Sequence, residues 1–280
     1  MITVLKAGLY TSVQDLGRFG YRTMGVPVSG SMDAHSAMLA NSILGNEAKQ
    51  AVLECTLLGP ILQFQQDTEI CITGAPFQPM LNDIGIAQEK PIPVQKNDVL
   101  SIGRATTGMR CYAAVAGGFH TEKVLGSRSF YSTITENSVL LKGDVLPIAK
   151  PLEIKRASTD VPYAPKILSN STLKVFPGPE FPTLKTNVRE LLFDTTFKIS
   201  AQSNRMAYVL ETEVDISAKE ILTAPVQPGT VQLTPSGKLV VLMRDAQVTG
   251  GYGRVLQLTE ESINILAQKR GGEAISFTSV

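Results

Sequence analysis

Histidine and cysteine are scarce in this chain of 280 residues, which has two of the first and three of the second. With only His35 and His120 available, a histidine-rich metal site is excluded, and no Cys-x-x-Cys pair supports zinc. Cys55, Cys71 and Cys111 are widely spaced and lie in apolar segments, so we expect buried, reduced thiols. The sequence therefore predicts no metal site, and no Ser-His-Asp arrangement can be assembled from it.

An excess of charge of one sign and long apolar runs are also missing. The formal net charge is +1 and there is no basic run, which argues against nucleic acid or an anionic membrane as the main partner. No apolar run is long enough to span a bilayer, and the first residues lack the layout of a signal peptide. We therefore expect a cytoplasmic protein that binds neither nucleic acid nor membrane.

Nucleotide-binding signatures are absent as well. No Gly-x-x-x-x-Gly-Lys-[Ser/Thr] run exists, because Gly237-Lys238-Leu239 lacks both the upstream glycine and the hydroxyl. The run at residues 250–253 is not a dinucleotide fingerprint and predicts a glycine-rich turn between strands. We predict no cofactor bound by a motif of this chain.

What the sequence does contain is many short β-like runs. Hydrophobic residues make up 43% and charged residues 18%, which provides for a substantial core. The runs end at Gly, Pro, Asn and Asp, a pattern typical of a meandering sheet or barrel. Strands are predicted at residues 51–57, 60–65, 69–73, 99–102, 110–116, 173–176, 207–210, 229–233, 239–243, 254–258 and 274–278.

Helices are few in this pattern. Residues 33–44 are predicted to form a helix that packs one face on a sheet, with Met32, Leu39 and Ile43 on that side and Ala40 and Leu44 adjacent to them. The other predicted helices cover residues 182–193 and the segment from the Thr259 cap to Arg270. The fold class is therefore mostly β with a few helices.

The length suits two domains. Residues 147–172 are rich in proline and polar side chains, and we interpret them as a linker or long crossing loop. The predicted division is an N-terminal domain at 1–150, a linker or crossing loop at 151–172 and a C-terminal domain at 173–280. Both halves are mostly strand, which suggests two β-barrel-like domains.

The segment from Val26 to Asp33 has the pattern of a strand end, a tight turn and a helix start. Gly30 permits a backbone shape that a side chain would block. Ser29 or Ser31 can cap the helix, with Asp33 in its first turn. Free helix N–H groups, a hydroxyl and a carboxylate would then converge, which suits a carboxylate, a carbonyl oxygen or a phosphate. An ordinary loop-to-helix junction explains the same residues.

Other polar residues lie at glycine-rich turns, where the loops of a barrel would place a site. An arginine fork such as Arg18 or Arg205 suits a carboxylate substrate, and a nearby Asp or Glu could transfer a proton. Helix caps and surface ion pairs are the alternative for most members of this set. The set comprises Asp15, Arg18, Ser29, Asp33, Asn41, Glu54, Arg128, Asn204, Arg205, Gln227, Asp245, Gln247 and Thr249.

The order of several short motifs resembles one known family, the KipA-type proteins. These are also described as biotin-dependent carboxyltransferase-like proteins, allophanate hydrolase subunit 2 or the PxpC component of bacterial 5-oxoprolinase. The matching segments span almost the whole chain and are specific as a set. They are residues 8–18, 25–33, 39–41, 45–46, 53–54, 59–60, 73–75, 114–118, 125–129, 177–179, 203–206, 228–232 and 245–252. The chain has Ala207 where the family often has glycine, and Gly271 where it often has proline.

This resemblance implies two cyclophilin-like β-barrel domains. It implies a subunit, inactive alone, of a complex that uses ATP to open 5-oxo-L-proline to L-glutamate. The implied protein partners are a KipI-type (PxpB) and a LamB/YcsF-type (PxpA) subunit, and the substrate is a small amide. ATP would be used by the complex, since this chain has no nucleotide motif. Two alternatives stay open: a carboxyltransferase module of a urea-carboxylase-like system, and a KipA-like regulator that binds a KipI-type kinase inhibitor.

The candidate site residues are polar turn residues within the matching segments. Asp33 and Arg205 are the predicted catalytic residues, for proton transfer and for binding a carboxylate. The predicted substrate-binding residues are Arg18, Ser29, Gly30, Asn41, Glu54, Asn204, Gln227, Thr249, Gly250 and Gly251.

Overall fold

The fold was analysed in a computed structural model that describes residues 1–149, 166–211 and 221–280. The chain forms two compact units. Unit 1 contains Met1–Arg18 and the described part of Ser29–Pro165, and unit 2 contains Phe19–Val28 and the described part of Lys166–Val280. The predicted linker at 151–172 lies outside the described residues as far as residue 165, and a short helix, α2 (Lys166–Ser169), follows.

Unit 1 is built from two β-sheets, ordered β11-β1-β4-β9-β6-β7 and β2-β3-β10-β5-β8. All of its strand pairs are antiparallel. The predicted strands at 51–57, 60–65, 69–73, 99–102 and 110–116 are confirmed. The strands are β1 (Ile2–Lys6), β2 (Tyr10–Gln14), β3 (Val52–Thr56), β4 (Ile61–Phe64), β5 (Thr68–Gly74), β6 (Met80–Leu81), β7 (Ile84–Gly85), β8 (Ile92–Val94), β9 (Val99–Ser101), β10 (Arg110–Val115) and β11 (Val145–Leu146).

Helix α1 (Ala34–Ile43) packs on the five-stranded sheet. The predicted contact face is confirmed in part: Met32, Ala40 and Leu44 are buried and the half-buried Ile43 packs against the core, whereas Leu39 is only half-buried. The buried face carries Ala37, Ala40 and Leu44, which meet Val52, Cys71, Tyr112 and Ala114 of the sheet. Small alanines let the helix approach the strands closely, whereas the prediction weighted the larger side chains. All three cysteines are buried and free, as predicted.

Unit 2 contains a closed barrel, ordered β12-β19-β16-β17-β14-β13-β20. Parallel pairing of β12 with β20 closes it, and the other pairs are antiparallel. The predictions of a mostly β chain with a few helices, and of a barrel, are confirmed here. The strands are β12 (Thr172–Pro177), β13 (Phe197–Ile199), β14 (Ala207–Glu211), β15 (Ala224–Pro225), β16 (Thr230–Leu233), β17 (Leu239–Leu242), β18 (Thr249–Gly250), β19 (Gly253–Leu258) and β20 (Ala274–Ser279).

The helices of unit 2 start close to the predicted positions. Thr259 caps α4 (Glu260–Ala267) by accepting the Ser262 amide, as predicted, but the helix ends before Arg270. Helix α3 (Thr186–Asp194) begins later than predicted, because Phe181–Thr183 forms a separate 3-10 turn around Pro182. A second 3-10 turn lies at Arg22–Met24. Across the described parts of the chain, no helix combines the length and apolar character needed to cross a membrane.

Candidate functional site

The start of α1 in unit 1 gathers several of the predicted residues. Asp33 is the N-cap, and its Oδ1 accepts the Ser36 amide at 3.1 Å while its Oδ2 accepts the Ser36 hydroxyl at 2.5 Å. The prediction that Ser29 or Ser31 is the cap was therefore wrong, and the Ser31 amide instead donates to the Asp15 carbonyl. A carboxylate at the cap satisfies a helix amide and suits the positive end of the helix dipole.

Glu54 and Tyr112 hold the backbone that enters this helix. Oε2 of Glu54 accepts the Met32 amide at 2.7 Å and the Tyr112 hydroxyl at 2.9 Å. The same hydroxyl accepts the Asp33 amide at 2.8 Å. Glu54 and Tyr112 are opposite each other in the β3–β10 register, and neither has any exposed area. The Met32 and Asp33 amides before the helix are therefore occupied by protein acceptors, as is the Ser36 amide in its first turn.

The charges around this junction are buried with it. The Arg110 guanidinium is 2% exposed, and its Nε lies 3.8 Å from Oε1 of Glu54. Burial raises the pKa of the Tyr112 hydroxyl, and the charges of Glu54 and Asp33 raise it further. Tyr112 therefore stays neutral and keeps its proton for the Glu54 carboxylate across the physiological pH range. We name Asp33, Ser36, Glu54, Arg110 and Tyr112 the α1 cap network.

Asp15 organises a second set of hydrogen bonds. Its carboxylate accepts the amides of Gly17 and Arg128 and the hydroxyls of Ser127 and Ser129, at 2.7 to 2.8 Å. Its backbone carbonyl accepts the Ser31 amide at 2.9 Å, which ties this turn to the segment before α1. Four donors on one carboxylate fix the turn at residues 125–129, one of the segments on which the family resemblance rests.

The Arg18 guanidinium is buried and does not face solvent. It has no exposed area, and its Nε and Nη2 donate to the carbonyls of Val124 and Ser129 at 3.0 and 2.8 Å.

Ser29 has φ of 57° and is 1% exposed, and its Oγ has no hydrogen-bond partner within the described ranges. Gly30 follows with φ of 91°, and a Cβ there would lie 2.9 Å from the Gly17 nitrogen.

Asn41 lies near the other end of α1, where it has a separate role. Its Nδ2 donates to the carbonyl of Gln50 at 2.8 Å, and its Oδ1 accepts from Asn46 Nδ2 at 3.0 Å. Eight residues of helix separate it from Asp33, about 12 Å along the axis. Asn41 therefore fixes the loop between α1 and β3 and is not brought to the α1 cap network.

Arg205 in unit 2 is held by Asp245. Its Nε lies 2.7 Å from Oδ2 and its Nη2 lies 3.0 Å from Oδ1, a two-pronged ion pair. Asp245 also donates its amide to the Arg205 carbonyl at 3.0 Å. The side chains are 7% and 13% exposed, so the arginine charge is largely neutralised inside the protein. Asp33 and Arg205 belong to different compact units.

The other predicted residues of unit 2 lie in loops and a short strand pair. Asn204 is exposed, and its Oδ1 accepts the Met206 and Ala207 amides. Gln227 and Thr249 are exposed, and the Val226 amide donates to the Val248 carbonyl, so their loops adjoin. Gly250 and Gly251 follow, and a Cβ at Gly250 would lie 2.6 Å from Nε2 of the buried Gln232.

Sequence reasoning missed three residues of the α1 cap network: Tyr112, Arg110 and Ser36. Tyr112 and Arg110 lie within a strand that was predicted only as an apolar run. The alternation of side chains along 110–116 places Arg110, Tyr112 and Ala114 on one face, and this signal could have identified them. Among the described histidines, cysteines, aspartates and glutamates, no group of three or more is arranged to hold a metal ion.

Comparison with known proteins identifies the class of this fold. The family described as carboxyltransferase domain, subdomain A and B, matches residues 24–279, and the chain belongs to that family. It is 34% identical to the C subunit of 5-oxoprolinase from Escherichia coli, over 99% of this chain and 90% of that relative. It is 32% identical to the C subunit of 5-oxoprolinase from Haemophilus influenzae, over 100% of this chain and 91% of that relative.

A solved structure of a larger enzyme contains the same fold. The crystal structure of the K. lactis urea amidolyase aligns with a TM-score of 0.90 and 31% identity. The alignment covers 100% of this chain but only 18% of the amidolyase chain. The family fold is thus found both at nearly the full length of the bacterial subunits and as one part of a multidomain enzyme.

Proposed function

We propose that this chain is a subunit of an ATP-dependent 5-oxoprolinase, which opens 5-oxo-L-proline to L-glutamate. The observation that carries the proposal is the match to the C subunits of two bacterial 5-oxoprolinases, which extends over at least 90% of each relative. The urea amidolyase is covered for only 18% of its length. The match to nearly the whole length of the two bacterial subunits therefore supports the 5-oxoprolinase over the urea amidolyase.

The chemistry explains why ATP is needed. The lactam of 5-oxoproline is an unreactive amide, and transfer of the ATP γ-phosphoryl group to its oxygen, with release of ADP, activates the ring carbon. One water adds to that carbon, the carbon–nitrogen bond breaks with protonation of the nitrogen, and γ-glutamyl phosphate forms. A second water then releases phosphate and glutamate. Each step develops charge that fixed donors and cations must stabilise.

The partners and compartment follow from the same proposal. The relatives are each named as one lettered subunit of 5-oxoprolinase, which implies other subunits. We propose a KipI-type subunit and a LamB/YcsF-type subunit as partners, with ATP bound by the assembled complex, in the cytoplasm. Within this chain, internal hydrogen bonds hold the α1 cap network and the Arg205–Asp245 pair in place before any partner binds.

The predicted catalytic role of Asp33 can be separated from its structural role as a helix cap. Asparagine caps helices nearly as well as aspartate, whereas alanine does not. If the Asp33 carboxylate acts on a proton, Asp33→Asn should fold normally and lose most glutamate formation, at least about 100-fold. If it only caps α1, Asp33→Asn should keep activity and Asp33→Ala should lose about 1 kcal/mol of stability.

A carboxyltransferase is the second candidate, favoured by the TM-score of 0.90 to the urea amidolyase. The two candidates differ in substrate. The purified complex of this chain with the two partner subunits should form glutamate from 5-oxo-L-proline only when ATP is present. Transfer of carboxylate from carboxybiotin to urea, without glutamate from 5-oxo-L-proline, would replace the first candidate by the second.

A further inference from the structure

Unit 1 has a cleft of about 260 Å³ that the proposed reaction does not use. Its apolar lining includes Phe130 and Leu146, which are 7% and 3% exposed. Three carboxylates line it, those of Glu122, Glu136 and Asp144. The cleft thus combines an apolar floor with acidic walls.

These carboxylates are not neutralised by basic side chains. No lysine or arginine of the described ranges lines the cleft, although the whole chain has a formal net charge of +1. The structure records no ion pair or hydrogen bond for the carboxylates of Glu122 and Glu136 within the described ranges. Asp144 uses one oxygen to accept the Leu141 amide at 2.8 Å. The field in the cleft therefore favours a cation.

Two neutral polar groups complete the lining. Oγ1 of Thr121 is buried and has no hydrogen-bond partner among the described residues, so it is open to a donor. The ring of His120 is positioned by a 3.0 Å contact between its Nε2 and the Gly117 carbonyl. The residues do not form a metal site, because no described group of carboxylates and histidines is arranged for one.

We propose that this cleft receives an arginine side chain from a partner subunit. The proposal rests on the proposed function in one respect, that the chain works within a complex. A volume of about 260 Å³ lies below the range of about 300 to 1,000 Å³ typical of small-molecule sites, and suits one long side chain. The apolar stem of an arginine packs on the floor, and its planar fork donates to carboxylates. Negative charge in the cleft disfavours 5-oxoproline and ATP, which are both anionic.

The test is the affinity of the chain for its purified partner subunits, measured by titration calorimetry without ATP or lactam. The double variant Glu122→Gln/Glu136→Gln should bind more weakly, with Kd raised about tenfold to a hundredfold, because it removes both negative charges that face the guanidinium but keeps an oxygen acceptor at each position. Glu190→Gln is the matched control, since Glu190 is an exposed glutamate outside the cleft. The control should bind like the wild type, and all three proteins should melt within a few degrees of each other.

Other outcomes overturn the proposal. An unchanged Kd in the double variant, or an equal change of Kd in Glu190→Gln, would show that the cleft is not part of the interface. Dissociation of a homodimer by the double variant would make a second copy of this chain the occupant. Absence of any binding by the wild type would contradict the existence of these partners as well. The binding result does not depend on whether the complex forms glutamate, because the calorimetry measures affinity without turnover.

Discussion

The Tyr112 hydroxyl connects strand β3 to the start of α1. It donates to Glu54 and accepts the Asp33 amide, so its removal leaves a carboxylate oxygen and an N–H group buried with fewer partners. We predict that Tyr112→Phe destabilises unit 1 by about 1–3 kcal/mol, measured by calorimetric unfolding. Tyr252→Phe in unit 2 is the control, because Tyr252 is an exposed tyrosine whose hydroxyl can exchange its partner for water. An equal loss in both variants would contradict the special role of Tyr112.

At this scale the sequence identified the polar residues but not their contacts. Glu54 and Asp33 were both predicted at the site, and the structure places them around the same Tyr112 hydroxyl. Arg18 was predicted to bind substrate, and its Nε and Nη2 donate to backbone carbonyls, a contact that the sequence did not reveal. Strand register decides such partners, and Glu54 and Tyr112 are 58 positions apart in sequence. A single sequence carries no direct record of that register.

The turn before α1 depends on a glycine for two reasons. Gly30 has φ of 91°, which disfavours side chains, and a Cβ there would lie 2.9 Å from backbone atoms of Leu16 and Gly17. We predict that Gly30→Ala destabilises unit 1 by about 2–4 kcal/mol, since backbone cannot move aside as a side chain does. Gly126→Ala separates the two causes, because Gly126 has φ of 81° with no atom within 4 Å of the Cβ position. Gly126→Ala should destabilise unit 1 by only about 1 kcal/mol. Equal losses of unfolding free energy in the two variants, measured by calorimetry, would show that the close backbone contact at Gly30 contributes nothing.

An ion pair fixes the turn between β12 and α3 to β19. Glu180 accepts the amide, Nε and Nη2 of Arg254, and this hydrogen bonding holds the pKa of the carboxyl below its ordinary value of 4.5. A lowered pKa in the folded state stabilises the protein above the unfolded pKa, and the stabilisation is lost as pH falls through the lowered value. The melting temperature of unit 2 should therefore fall as pH drops below about 5.

Glu180→Gln should melt lower than the wild type at neutral pH and show a smaller fall on acidification. Glu190→Gln, which removes an exposed carboxylate of the same unit, should follow the wild-type curve. The measurement is the unit 2 transition by calorimetry from about pH 3 to about pH 7, which spans the range in which carboxyl groups titrate. A Glu180→Gln curve parallel to the wild type would show that the ion pair has no linkage to folding.

Element positions were more predictable than element faces. The cap at Thr259 could be predicted because capping is local chemistry. Helix α1 begins one residue after its predicted start, although Asp33 rather than a serine caps it. The contact face of α1 was only partly predictable, since Ala37 joins Ala40 and Leu44 against the sheet while Leu39 stays half-buried. Short strands such as β6 and β7 have two residues each and leave no periodic signal in the sequence.

For the whole molecule, composition and turn spacing sufficed to predict a mostly β chain. They did not reveal that β12 and β20, at opposite ends of unit 2 in sequence, pair in parallel and close the barrel. Nor did they reveal that Phe19–Val28 groups with unit 2, because long-range contacts leave no local pattern. The family resemblance was the stronger signal, since its motifs are spread over residues 8–252 and the family match covers 24–279.

The central claim is that this chain is a required subunit of a 5-oxoprolinase. The most direct measurement is the rate of glutamate formation from 5-oxo-L-proline and ATP while this chain is titrated into fixed amounts of the KipI-type and LamB/YcsF-type subunits. We predict no glutamate without the chain and a rate that rises and then saturates once the partners are fully occupied. Glutamate formed at the same rate without the chain, or none at any ratio in an assembled complex, would contradict the claim.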